Sequence, residues 1–304
     1  MRRTLFGVLI ILGALCADQA VKTAWAAQLT YEYKKTNKVV TLVEEASALI
    51  EKMGEEVFPA FRKHGSKWYQ GHSYLFIYDL KGVLVVQPVQ TELEGKNLIN
   101  FKDINGKPVA RMIIDTATKT REHRGWVHYM WIRPEEIFPI WKSTYVRKVI
   151  SPSGNQYVIG SGLYNLRVEQ GFVVEMVDSA VELLKIEGKA AFDQFRDKAS
   201  PFIFIDSYIF VIDEKGTAVV DPGFPSLEGR NLLNHKDAAG RYIVREMIHK
   251  LKRSGDTTWI SYMWPKPGKV KPSRGLAYVR KVKLSKETFI VGAGFSPARP
   301  IWMR

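Results

Sequence analysis

Apolar positions first recur every three or four residues: Val43, Ala46, Leu49, Ile50, Met53, Val57 and Phe61. That spacing predicts an amphipathic helix over residues 43–64 with one buried stripe. Pro59 falls inside it and predicts a kink, because proline lacks a donor and clashes with the preceding turn. The period then changes. Tyr74, Phe76 and Tyr78 alternate with Leu75, Ile77 and Asp79, and Val83 to Val86 is apolar again after Lys81-Gly82. This reads as two strands joined by a tight turn, with Asp79 capping the turn's backbone. A polar stretch holding Gly95, Asn97, Asp103 and Gly106 predicts loops before a short helix over residues 109–117. Three more strands are predicted near 125–132, 143–150 and 156–164.

The whole pattern then returns. Residues 74–111 and 208–245 align at an offset of 134, with 18 of 38 positions identical. The segments WVHYMW and WISYMW, TYVRKV and AYVRKV, and YVIGSG and FIVGAG follow in the same order. A second long helix is predicted over residues 173–198 on Val177, Ala180, Leu184 and Phe195, unbroken because Asp193 stands where the first copy has Pro59. A period this long is domain-sized rather than a solenoid repeat. The expected fold class is α+β: two tandem units, over 27–165 and 166–304, each a long N-terminal helix on a five-stranded antiparallel sheet.

Residues 1–26 stand apart. Arg2 and Arg3 precede an apolar run from Leu5 to Ala17, and Ala24-Trp25-Ala26 supplies small residues at a cleavage site. That is the layout of a secretory signal, shorter than a spanning helix, so the mature chain is expected in the periplasm or outside the cell. Cys16 is the sole cysteine, so the mature chain has neither a disulfide nor a cysteine metal site. The net charge is +14, or +12 without Arg2, Arg3, Asp18 and Lys22. Outside the cytoplasm such charge meets small anions, lipid headgroups and envelope polymers rather than nucleic acid.

The order long helix, Y-x-F-x-x-D-x-x-G, L-x-G-x-N-L, K-D-x-x-G, W-x-x-Y-x-W, Y-V-R and V-x-G-x-G resembles the single Cache domain of Cache_2 type. It does so twice, over residues 43–164 and 177–295. That family comprises extracytoplasmic sensor modules with a PAS-like fold. The resemblance implies a pocket between the sheet and the loops after the second strand, taking a small organic solute, often a short carboxylic acid. Family members commonly sit between membrane helices and drive an output domain. Here the expectation is solute binding, with a membrane receptor or sensor kinase as partner. The resemblance also places Tyr145 and Tyr278 near the pocket and makes Lys142 its basic residue.

Other candidates come from residue chemistry. Arg111 and Arg245, at matching positions on the short helices, suit two-pronged binding of a carboxylate, or else pair with Asp103 and Asp237. Tyr129 and Tyr262 can donate a phenolic hydrogen bond into a pocket, or pack in the core. Trp126 and Trp131 differ by five, as do Trp259 and Trp264, so each pair straddles its strand. One of each pair can wall a pocket while the other packs on the helix side, with Trp126 the candidate for the pocket and core packing its alternative. Gly275 opposite Lys142, Asp221 opposite Gln87 and His235 opposite Phe101 predict two pockets that are not equivalent. The six histidines show no metal-binding spacing and none recurs between copies, so no metal, cofactor or catalysis is expected. The leading reading is an exported binding protein for a small anionic solute. Its rival is an envelope protein docking through its basic surface.

Overall fold

A computed structural model describes residues 31–297. The expected signal segment and its cleavage site lie outside the described residues.

The first long helix spans Lys34–Met53 and buries Val39, Val43, Ala46 and Ile50. Its first turn has no local side-chain cap. The Glu169 carboxylate from the second copy serves instead, accepting from Glu32 N at 2.5 Å, Thr36 Oγ1 at 2.5 Å and Tyr33 N at 3.3 Å. A negative charge there also complements the helix dipole. The helix stops at Gly54 (φ 69°, ψ −147°), and the second long helix, Gln170–Glu187, stops at Gly188 (φ 61°, ψ −146°). Short helices Phe58–Arg62 and Ala191–Arg196 resume after a 3-10 turn. Both copies therefore break, and at a glycine. This corrects the expected kink at Pro59 and the expected unbroken second helix. Pro59 sits at the start of Phe58–Arg62, where its missing donor is not needed. Nothing lies within 4 Å of a Cβ built on Gly188, so Gly188→Ala should incur only backbone strain. We expect a loss of about 1–3 kcal/mol, read from urea unfolding midpoints.

The first sheet holds β1 (Tyr69–Gln70), β2 (Ser73–Asp79), β3 (Leu84–Val86), β4 (Arg124–Ile132), β5 (Pro139–Ile150) and β6 (Gln156–Tyr164). Its order is β1-β2-β6-β5-β4, with β3 also on β2. The second sheet repeats this with β7 (Ile203–Phe204), β8 (Ser207–Asp213), β9 (Ala218–Val220), β10 (Thr257–Pro265), β11 (Pro272–Leu284) and β12 (Glu287–Phe295), all pairs antiparallel. Each sheet has the five expected strands plus a two-residue strand. Asp79 Oδ1 accepts from Lys81 N and Val83 N, and Asp213 Oδ1 from Lys215 N and Thr217 N, fixing both turns as read.

Each sheet has two dressed faces. The long helices cover one; the short helices, Val109–Lys119 and Ile243–Ser254, and the preceding loops cover the other. Alternation divides the side chains: Leu75 and Ile77 face the long helix, whereas Tyr74, Phe76 and Tyr78 face the loops. The two loop-side cores are separate, but the two helix-side cores are one. Phe172, on the second long helix, lies 4.9 Å from the Trp126 ring and 5.8 Å from Tyr31, and His128 stacks on Phe204 at 3.9 Å. Burial, then the nearby Lys107 charge, pushes the His128 imidazole down to about 3, so it packs neutral. Lys107 extends from the first copy into the second and donates to Ile203 O at 2.8 Å and to Ser200 O.

Candidate functional site

The loop-side faces are where the two copies diverge. In the second, a cavity of about 130 Å³ opens between sheet, loops and short helix. Tyr208, Phe210, Tyr262 and Trp264 wall it, Met247 and Leu232 lie behind, and Asp221 is its half-buried carboxyl. Tyr262 pairs across strands with Gly275. A Cβ on Gly275 would lie 2.1 Å from Tyr262 Cζ, and one on Gly294 2.3 Å from Tyr262 Oη. The phenol therefore lies flat on two bare backbone positions and forms the cavity floor. Asp221 accepts from Phe224 N at 2.9 Å and is hydrogen-bonded to Tyr208. Burial raises its carboxyl to about 6, against the lowering effect of those bonds. At the mouth, Asp206 and Lys266 form an ion pair.

In the first copy Lys142 stands in place of Gly275, and its side chain lies on the corresponding loop-side face. It is 1% exposed, with Nζ donating to Tyr74 Oη at 2.9 Å and lying 4.1 Å from the Tyr74 ring centroid and 5.1 Å from that of Tyr164. Burial pulls its amine down to about 7. No carboxylate pairs with it among the described residues. In the same copy Gln87 Oε1, Gln90 Oε1, Trp131 Nε1 and Arg133 Nε are buried atoms without a hydrogen-bond partner.

Of the residues expected from sequence, Tyr129, Lys142 and Tyr262 stand on the loop-side faces. Tyr129 Oη is already bound to Thr144 Oγ1 at 3.0 Å. Trp126, Tyr145 and Tyr278 are corrected by the strand pleat. Trp126 and Tyr145 are opposite one another in β4 and β5, both in the helix-side core, and Tyr145 Oη donates to Glu44 on the long helix at 2.9 Å. Tyr278 packs against the same core beside Trp259. Trp131 and Trp264 are the tryptophans on the loop side.

Arg111 and Arg245 are also corrected. Both are exposed, because Val109, Ala110, Met112 and Ile113 claim the inner stripe of the first short helix and Ile243, Val244 and Met247 that of the second. Arg111 reaches Asn100 Oδ1 at 3.5 Å, and Arg245 donates to Leu233 O at 2.7 Å and to Asn234. They brace loops. Nor do Asp103 and Asp237 pair with them; each accepts backbone N–H groups, including Met130 N and Met263 N. Sequence reasoning noted Asp221 only as a mismatch and missed Tyr208, although Tyr74 and Tyr208 open the repeated segment.

A two-module sensor fold with a loop-side pocket is the class these features define. The dCache_2 family model, a Cache domain, matches residues 19–296 as one unit, and the chain belongs to that family of ligand-binding sensor domains. It is 27% identical over 181 residues to the methyl-accepting chemotaxis protein McpP of Pseudomonas putida, a match covering 60% of this chain and 30% of that receptor. The chain thus spans less than a third of that relative's length. Among solved structures, it is similar to a periplasmic sensor domain of a chemotaxis protein (30% identity, 41% of this chain, 87% of that one, TM-score 0.34). It is also similar to the ligand-binding domain of the Pseudomonas fluorescens chemoreceptor CtaA with L-alanine (12% identity, 95% of this chain, 96% of that one, TM-score 0.30). Among the described residues, no helix is long and apolar enough to cross a membrane, and no group of three or more His, Cys, Asp or Glu is placed to hold a metal.

Proposed function

We propose that this chain is an exported solute-binding sensor protein whose first module takes a small organic anion, such as a short carboxylic acid, and presents it to a membrane receptor or sensor kinase. One observation supports the reading: Lys142, buried on the loop-side face, makes one hydrogen bond, to the Tyr74 phenol, lies over aromatic rings and has no carboxylate partner among the described residues. A buried ammonium is costly unless paired, and an incoming carboxylate would supply the missing charge. The orphan Trp131 Nε1 adds a donor on the same face. Lys142, Tyr129 and Tyr74 are the proposed contacts, with Tyr262 as the counterpart in the second module. The proposed module boundary is near residue 165, before the second long helix.

The test is a thermal-shift screen of the mature protein against acetate, propionate and butyrate. A carboxylate at a hundred times its dissociation constant should add about 2.7 kcal/mol. Lys142→Met should abolish the response. Arg111→Ala should preserve it, because its guanidinium lies outside the pocket. A carboxylate response that survives Lys142→Met would overturn the assignment.

A further inference from the structure

The second module is not a weaker copy of the first. Two exchanges at matching positions reverse its charge: Lys142 becomes Gly275, which removes the cation, and Gln87 becomes Asp221, which adds an anion. A third, Phe101 to His235, places an imidazole at the rim beside Trp264, 5.3 Å between ring centroids. Across the cavity lining the charged groups are Asp206, Asp221 and Lys266, of which Asp206 and Lys266 neutralise each other. Asp221 remains, with no salt-bridge partner among the described residues. Its hydrogen bonds come from two backbone N–H groups, of Phe224 and Gly223, and the Tyr208 phenol, and a carboxylate with about four acceptor sites keeps capacity for one more donor. The same cavity is lined by the rings of Tyr208, Phe210, Tyr262 and Trp264. Aromatic rings about a lone carboxylate form an environment that attracts an organic cation through both ring quadrupole and charge.

We infer that the cavity of the second module binds a small organic ammonium ion, with Asp221 as its counter-ion and the aromatic walls enclosing its alkyl part. The cavity's size sets the scale. About 130 Å³ is close to the roughly 150 Å³ engineered cavity that holds benzene, so the occupant has about six non-hydrogen atoms. Opposite charge preference in two tandem modules makes the protein responsive to two chemically distinct solutes, or to both ends of separate zwitterions. The inference rests on the second module's own residues, so it stands or falls apart from the carboxylate reading of Lys142.

Three probes of matched size decide it: n-pentylammonium, 1-pentanol and butyrate, each titrated calorimetrically into the full mature protein. Pentylammonium is expected to bind at least about tenfold more tightly than pentanol, the lower end of what a charged hydrogen bond contributes. Asp221→Asn keeps the side chain's shape and an acceptor for Phe224 N, and should remove that preference. Equal affinity for pentylammonium and pentanol in the unaltered protein would overturn the inference without reliance on any variant. So would an undiminished preference in Asp221→Asn, butyrate displacing pentylammonium, or no ammonium binding at millimolar concentration. Butyrate heat that is lost in Lys142→Met but insensitive to pentylammonium reports on the first module alone, which separates failure of one reading from failure of the other.

Discussion

Replacing Lys142 by methionine should make the protein more stable near neutral pH while removing carboxylate binding. The ammonium is buried among Tyr74, Phe76 and Tyr164 with one hydrogen bond, and burial lowers its pKa from 10.5 to about 7. The folded state thus releases this proton more readily than the unfolded chain. Between about pH 7 and 10.5 the unfolded state binds more protons, so stability rises with pH across that window. Below pH 7 the group is charged in both states and the full penalty applies, on the order of 5 kcal/mol. Methionine has similar length and no charge to desolvate. Lys142→Met should therefore exceed the unaltered protein by several kcal/mol at pH 6, and the gap should shrink as pH approaches 10. Urea unfolding at stepped pH reads both curves; parallel curves would remove the buried charge from the account.

On the proposed carboxylate reading, the same group should make solute binding proton-linked. A carboxylate beside Lys142 favours the charged amine and raises its pKa. Binding at pH 8 should then take up protons, seen as calorimetric heats that scale with buffer ionisation enthalpy, and affinity should fall as pH rises above 7. This pattern distinguishes an ammonium that receives the solute from one that merely fills space: the latter gives no proton uptake and no pH slope.

Much of the fold was legible because the chain states it twice. Alternation in residues 74–78 placed strands and faces, and the Asp79 and Asp213 turns fell where read. The helix break was hidden because apolar spacing runs on through Gly54 and Gly188; periodicity records which face is buried, not whether the backbone is continuous. The tryptophan spacing correctly separated Trp126 from Trp131 but carried no sign of which face held the pocket. Arg111 and Arg245 misled for a related reason: guanidinium chemistry suits a carboxylate, yet helix phase points both outward. Lys142 against Gly275 and Gln87 against Asp221 were visible as mismatches. Their convergence on one charge reversal depends on β-sheet register and loop packing, which a linear comparison does not contain.

Nor did the sequence disclose how the modules are joined. Duplicated domains suggest two units unfolding separately, but the helix-side cores are continuous through Tyr31, Trp126, Phe172 and Phe204. Phe172 is central: 2% exposed, it touches the rings of Tyr31, Trp126 and His128, all in the other module. Lys107 and Glu169 add buried polar ties in opposite directions across the same boundary. We therefore expect one cooperative urea transition for the whole chain. Phe172→Ala should remove about 3–5 kcal/mol, the usual cost of emptying a large core site, and split the transition in two as the shared core loses its centre. Two transitions already present in the unaltered protein, or a loss below about 1 kcal/mol, would show the modules to be independent. Cooperativity has a consequence for binding. While one transition holds, a solute bound to either module stabilises both by the same linkage, so carboxylate and ammonium should each raise a single shared midpoint. In Phe172→Ala each should raise only the transition of its own module.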